Sequence, residues 1–300
     1  MRVFVTDAAP VPALPNGHRF PSRKYDLLRQ RIVSEGVLRP AELIEAEPAS
    51  RGELLRAHTA EYVDAILDGS IDDKRMRRIG LPWSPELVAR ARASVGAQLA
   101  AAQAALVDGV SGALSGGTHH ARPDEGAGYC VFNDIAVAAR ALLDEGAVAR
   151  VAVVDLDVHQ GDGTAAILGG EPRAYLLSLH GANNFPFRKV PSTVDVELPD
   201  GTGDAEYLAA LNEVLPALFA FAPDLVFYQA GVDPLAEDKL GRLALTLEGL
   251  MARDRIVLDG CRARRIPVTL SLGGGYAQPI ERSVDAYVNT WRVVRDVYAP

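Results

Sequence analysis

Four short runs constrain this chain more than anything else in it: 150–155, 174–179, 225–229 and 266–272, each rich in Val, Leu and Ile. They are apolar at successive rather than alternate positions, so both faces of each run need covering, which is the mark of a buried parallel strand. Helical patterns lie between them, at 205–221 and 247–264. Strand alternating with helix predicts an α/β fold, a parallel β-sheet flanked by helices on both sides. The segment that starts at Ser84 gives the clearest helix, with Ser84 as cap, Pro85 at the first helical position and Gly109 as the stop. No repeat, low-complexity tract or Pro/Ser-rich linker interrupts the pattern, so residues 1–300 are read as a single domain, with 10–21 an ordered surface loop.

In open α/β sheets, ligands bind beyond the carboxyl ends of the strands. Here those ends read DLDVHQGDGT (155–164), SLHGANNF (178–185), QAGVDP (229–234) and SLGGGY (271–276), each pairing glycine with a polar or ionisable group. The stretch GALSGGTHHARPDEGAGYCVFND (112–134) precedes the first of them. Four of the six histidines, His119, His120, His159 and His180, are therefore expected at one mouth.

Asp157 and His159, two residues apart, leave the same face of an extended chain. A carboxylate from Asp233 completes an Asp-His-Asp set that leaves a metal one position for water or a carbonyl oxygen. Alone, a D-x-H is more often a strand-end turn, but three other polar strand ends reverse that reading. His119 and His120 can straddle a loop as general base and general acid, with Asp155 and Asp162 as the carboxylates that fix their tautomers. Tyr276, after Gly273, Gly274 and Gly275, offers a phenol to an oxyanion. Tyr129 and Phe185 either wall a slot for an aliphatic chain or pack in the core.

The chain is 48% hydrophobic and 23% charged, which is globular composition. At 300 residues it buries enough core to fold without a metal, so a metal site here is read as catalytic. A formal charge of -8 counts against nucleic-acid binding and favours a basic protein substrate. Cys130 and Cys261 have neither zinc-ribbon nor disulfide-framework spacing, which fits a reducing cytoplasm. The start, MRVFVTDAAPVPALP, lacks the apolar core of a signal peptide, and no run reaches the roughly 18 apolar residues of a membrane span.

GGTHHA, GYCVFND, DLDVHQGDGT, SLH, AGVDPLAED and LGGGY, in this order, resemble the zinc-dependent histone deacetylase superfamily, which shares its fold with arginases. The likeness runs from roughly Asn16 to Tyr276. GHRFPSRKYDLL and IGLPWSPEL are most similar to class IV histone deacetylases and their short bacterial relatives. The resemblance implies zinc on Asp157, His159 and Asp233, His120 as main general base, His119 as its partner near the leaving amine, and Tyr276 polarising the carbonyl. It also implies a structural potassium ion on the carbonyls of Asp155, Asp157, His159 and Leu179 with the side chains of Ser178 and Asp155, and places Lys24 beside an internal acetate cavity.

The implied substrate is an acylated lysine in protein or peptide. The alternatives are an acetylpolyamine or other small acylated amine, and a catalytically silent acyl-binding module. Arginase-like two-metal chemistry is disfavoured because Pro234 and Leu235, not a second bridging carboxylate, follow Asp233. Asp72 and Asp73 are candidates for a rim carboxylate, and the basic run 74–78 for an entrance edge or a solvated loop. The class IV resemblance, with small residues near Tyr129 and Phe185, namely Gly126, Ala127, Gly128, Gly181 and Ala182, predicts removal of long fatty acyl groups from lysine at least as well as acetyl, with Lys24 as the counter-indication.

Overall fold

The computed structural model describes residues 1–298. Its strands are β1 (Val3–Val5), β2 (Leu43–Glu45), β3 (Val110–Ala113), β4 (Val151–Asp155), β5 (Ala174–Gly181), β6 (Val194–Leu198), β7 (Leu225–Gln229) and β8 (Val268–Ser271). They form one eight-stranded sheet in the order β2-β1-β3-β8-β7-β4-β5-β6. Every neighbouring pair is parallel. The helices are α1 (Arg23–Ser34), α2 (Arg51–Leu54), α3 (Ala60–Asp68), α4 (Asp73–Ile79), α5 (Pro85–Asp108), α6 (Asp134–Asp144), α7 (Asp162–Leu168), α8 (Asp204–Ala220), α9 (Leu247–Arg264) and α10 (Glu281–Tyr298).

The period of two along a strand splits the core into two layers. Val151 and Val153 of β4 and Phe227 of β7 join Val95 and Leu99 of α5 and Ile135 of α6. Ala152 and Val154 of β4 and Tyr228 of β7 join Leu211 of α8, Val257 of α9 and Trp291 of α10. Each large aliphatic side chain so buried contributes about 1.5–3 kcal/mol. α5 begins and ends as its sequence predicts: Ser84 accepts from the Leu87 amide and Gly109 takes the left-handed conformation.

The four strands announced by apolar runs, β8, β7, β4 and β5, lie side by side at the centre of the sheet. The flanking strands are not announced, because they are short or interrupted. β1 has three residues, β3 contains Ser111 and Gly112, and β6 alternates exposed Asp195 and Glu197 with half-buried valines on the outer edge. The basic run 74–78 is not a solvated loop but lies in α4, where Asp72 is spent as the N-cap, accepting from the Arg75 amide. No described helix is long and apolar enough to cross a membrane.

Candidate active site

β3, β8, β7 and β4 are consecutive neighbours in the sheet, so the loops leaving their carboxyl ends open onto the same space. That space is a cavity of about 840 Å³ lined by His119, His120, Asp157, His159 and Tyr276, and by Lys24, Gly128, Tyr129 and Phe185.

Asp157, His159 and Asp233 are buried, and one ligand atom from each lies within 4.8 Å of the others; among the described residues this is the group fit to hold a metal ion. Asp157 Oδ1 and Asp233 Oδ2 each lie 3.0 Å from His159 Nδ1. One ring nitrogen has at most one proton for two acceptors, whereas a cation would satisfy all three atoms. Burial and the neighbouring Asp157 charge push the Asp233 carboxyl up to about 7, a surplus of negative charge that a divalent cation relieves. The residues therefore fit one metal ion.

The glycine run before Tyr276 is explained by close approach. A Cβ on Gly273 would lie 2.6 Å from Asp157 Oδ2, and one on Gly274 would overlap Asp233 Oδ2. The Gly274 amide instead donates to Asp157 Oδ2 at 2.7 Å. Tyr287 of α10 clamps the run, accepting from the Gly273 amide (2.8 Å) and donating to the Gly274 carbonyl (2.5 Å).

The imidazoles of His119 and His120 stand 4.2 Å apart between centroids. His119 Nδ1 donates to Asp155 Oδ2 at 2.8 Å, and His120 Nδ1 donates to Asp162 Oδ1 at 2.7 Å. A carboxylate only accepts, so both protons sit on Nδ1 and each Nε2 is turned to other work. Burial lowers both pKa values, but Asp155 and Asp157 overcome it at His119 and hold it at about 9. Burial and the adjacent His119 leave His120 at about 4, despite Asp162. Asp162 is also shared with Arg122, which donates twice to its Oδ2, at 2.9 and 2.7 Å.

Tyr276 is half-buried, its ring 6.1 Å from that of Tyr129, and its hydroxyl bonds no described residue. Burial, then Tyr25 and the nearby carboxylates, raise its pKa, so the phenol keeps its proton. Tyr129 is held at φ 67, a left-handed conformation costly for a non-glycine residue. The preceding Gly128 is at φ +54, and a Cβ on it would come within 2.6 Å of His120. Phe185 packs edge-on against His120, with centroids 4.9 Å apart. Lys24 is 2% exposed; its ammonium donates to the Gly273 carbonyl (2.9 Å) and lies 5.3 Å from the Tyr276 ring centre.

Several expectations need correcting. His180 is not at the mouth: it lies inside β5, buried, with Nδ1 2.9 Å from Ser178 Oγ. Burial lowers its pKa to about 4. Of the small residues expected to open the cavity only Gly128 lines it, and neither Asp72 nor Asp73 does. Asp155 and Ser178 are register partners on β4 and β5.

Sequence reasoning missed the residues that hold the loops. Asp134 accepts from the Gly117 and Thr118 amides, and Asn133 caps α6 while donating to the Ala121 carbonyl, fixing the loop that carries both histidines. The Asn-Asp pair before an apolar helix was a legible capping signal. Asp238 accepts from the Tyr276 amide at 2.6 Å. Fully buried Arg253 of α9 donates from one nitrogen to the carbonyls of Leu156 (3.1 Å) and Gly231 (2.6 Å), behind the two carboxylate-bearing loops. Nothing local in the sequence marks it.

A profile of the histone deacetylase domain matches residues 18–291. An uncharacterised protein of Picosynechococcus is 43% identical over 96% of this chain and 96% of its own length. Histone deacetylase 2 of Arabidopsis thaliana is 31% identical over 89% of this chain and 72% of its own. The histone deacetylase-like amidohydrolase of Pseudomonas aeruginosa is 32% identical over 83% and 69%. The crystal structure of the HDA15 HD domain superposes with a TM-score of 0.80 over 100% of this chain and 91% of that one, at 24% identity, a likeness of fold.

Proposed function

The chain belongs to the histone deacetylase family, and from that premise we propose that it is a zinc-dependent amidohydrolase cleaving a short acyl group from lysine. One observation carries the reading: Asp157 and His159 of the Asp157-His159-Asp233 group, two carboxylate-backed histidines and a free phenol line a single cavity. Zinc held by that group would supply Lewis acidity, polarising the amide carbonyl and making water more acidic.

The chain's own residues do the rest. Neutral His120 takes the attacking water's proton at Nε2, while Asp162 holds Nδ1–H. Charged His119, backed by Asp155, faces the carbonyl as it gains negative charge, and the pair returns a proton to the departing amine. Tyr276 donates its hydroxyl to the same oxygen. Tyr129, Gly128 and Phe185 flank the lysine stem.

The short-acyl reading rests on the Lys24 ammonium in the lining, accompanied by Ser94 and Ser115. A buried ammonium without a carboxylate partner suits a small carboxylate product better than an alkyl chain. Class IV membership rests on GHRFPSRKYDLL and IGLPWSPEL together with Lys24. A potassium ion at Asp155, Asp157, His159, Ser178 and Leu179 is supported by the adjacency of β4 and β5. One folding unit over 1–300 is supported by a sheet that draws strands from Val3 to Ser271, and a cytoplasmic setting by the free Cys130 and Cys261.

Asp157→Ala or His159→Ala should lose zinc and activity together while circular dichroism stays native; full zinc occupancy with activity in either removes that residue from the ligand set. Tyr276→Phe should keep zinc and lose on the order of 10²–10³ in kcat. For one peptide bearing acetyl, octanoyl or myristoyl lysine, kcat/KM should fall tenfold or more, about 1.4 kcal/mol, from first to last. Equal rates would replace the short-acyl reading with a long-chain one.

A further inference from the structure

The chain is acidic, at -8, yet the cavity is cationic. Arg19, Lys24, Arg78, Arg90, Lys239 and Arg242 line it, whereas the carboxylate in the lining is the candidate metal ligand Asp157. Two of these cations are already matched from outside the lining: Arg78 pairs with Glu125, and Arg242 with Asp200 at 3.1 Å. Arg90 is turned to the Thr6 carbonyl and the Tyr25 ring, and Lys24 to the Gly273 carbonyl. Arg19 and Lys239 are exposed and ion-paired with no described carboxylate.

Those two come from different segments of the lining. Arg19 sits between His18 and Phe20, whose rings lie 5.9 and 5.3 Å from the Tyr129 ring. Lys239 is tied to the loop that carries Tyr276, its amide donating to the Tyr276 carbonyl at 3.3 Å. The cavity lining thus carries an unmatched cation on each of two segments far apart in sequence. Net charge describes the far field of a molecule, but within a Debye length of about 8 Å the nearest charges decide.

Resting on the amidohydrolase reading, we infer that the mouth selects acyl-lysines set in acidic polypeptide segments, with carboxylates near the modified residue. Cations on separate segments around the opening match an extended carrier with several carboxylates. They repel a polycationic one, whether a polyamine or a basic tail, which reverses the carrier expected from net charge.

Three acetyl-lysine peptides of equal length, flanked by Glu, Gln or Lys, test this with the zinc-loaded enzyme. Expected is a kcat/KM higher for the Glu than the Lys peptide by about tenfold at low salt, a gap that narrows as salt rises, as for electrostatic selection at an interface rim. Arg19→Glu combined with Lys239→Glu, checked for native circular dichroism, should invert the order. Equal rates for the three peptides, or an order unmoved by the double substitution, overturn the inference and leave the amidohydrolase reading standing. So does faster turnover of an acetylpolyamine than of the Glu peptide. Fluorescence anisotropy of the same peptides separates the opposite failure: tighter binding of the Glu peptide without hydrolysis supports the cationic mouth and sinks the amidohydrolase reading.

Discussion

His119 with Asp155 and His120 with Asp162 are two pairs of the same chemistry, at 2.8 and 2.7 Å, in one buried loop cluster. Yet one imidazole is held at about 9 and the other at about 4. Distance to the partner carboxylate does not separate them; the company each pair keeps does. His119 Nε2 also faces Asp157 Oδ1 at 3.8 Å, whereas Asp162 is shared with the Arg122 guanidinium and His120 sits against a charged neighbour. Adjacent titratable groups with separated pKa values are how one site holds a base and an acid at the same pH.

The comparison is broken most directly at His120, the proposed base. His120→Ala should cost on the order of 10³–10⁴ in kcat with zinc retained, the upper range for a lost general base. A loss below about tenfold would hand that role to His119. Asp155→Asn should cost about 10–100-fold, as for other lost carboxylate supports. Without that carboxylate burial dominates and the His119 pKa falls, so the basic limb of the kcat/KM profile should move to lower pH. An unmoved limb would show that His119 is not the acid.

The unsubstituted enzyme sharpens the contrast through its pH profile. A base that must be neutral fails as pH drops through its pKa, and an acid that must be charged fails as pH rises through its own. kcat/KM should therefore be bell-shaped, with an acidic limb near 4 and a basic limb at or below about 9. The basic limb lies at the lower side because a cation on Asp157 removes part of what holds His119 up. Arg122→Gln is the smallest perturbation. Freed from Arg122, Asp162 pulls harder on His120, so the acidic limb should move upward in pH while the plateau changes less than about tenfold. A downward shift would refute this account of the asymmetry.

Most of the site's members were legible because their chemistry is local. A D-x-H at a strand end and a glycine run before a tyrosine are short patterns, and they named Asp157, His159 and Tyr276. The backing carboxylates Asp155 and Asp162 were legible for the same reason, flanking the D-x-H within a few residues. Arg122 and Asp238 were not, because neither belongs to a short pattern that marks a role, and their partners lie 40 and 38 positions away. His180 misled because SLHGANNF reads as a strand end, while β5 continues through His180 to Gly181.

By itself the sequence determined the four central strands, the polar character of their carboxyl ends and the residue types waiting there, since side-chain polarity and a period of two need only neighbouring positions. The tertiary structure alone decided the strand order, which sets β3, β8, β7 and β4 side by side and so brings His119, Tyr276 and Asp157 to one cavity, with Asp233 beside Asp157. It alone decided which histidine keeps its charge and that a mouth on an acidic chain is lined by arginine and lysine. The physical reason is the same in each case: electrostatic energy depends on distances of a few ångström through space, and chain position does not fix those distances until the sheet has closed.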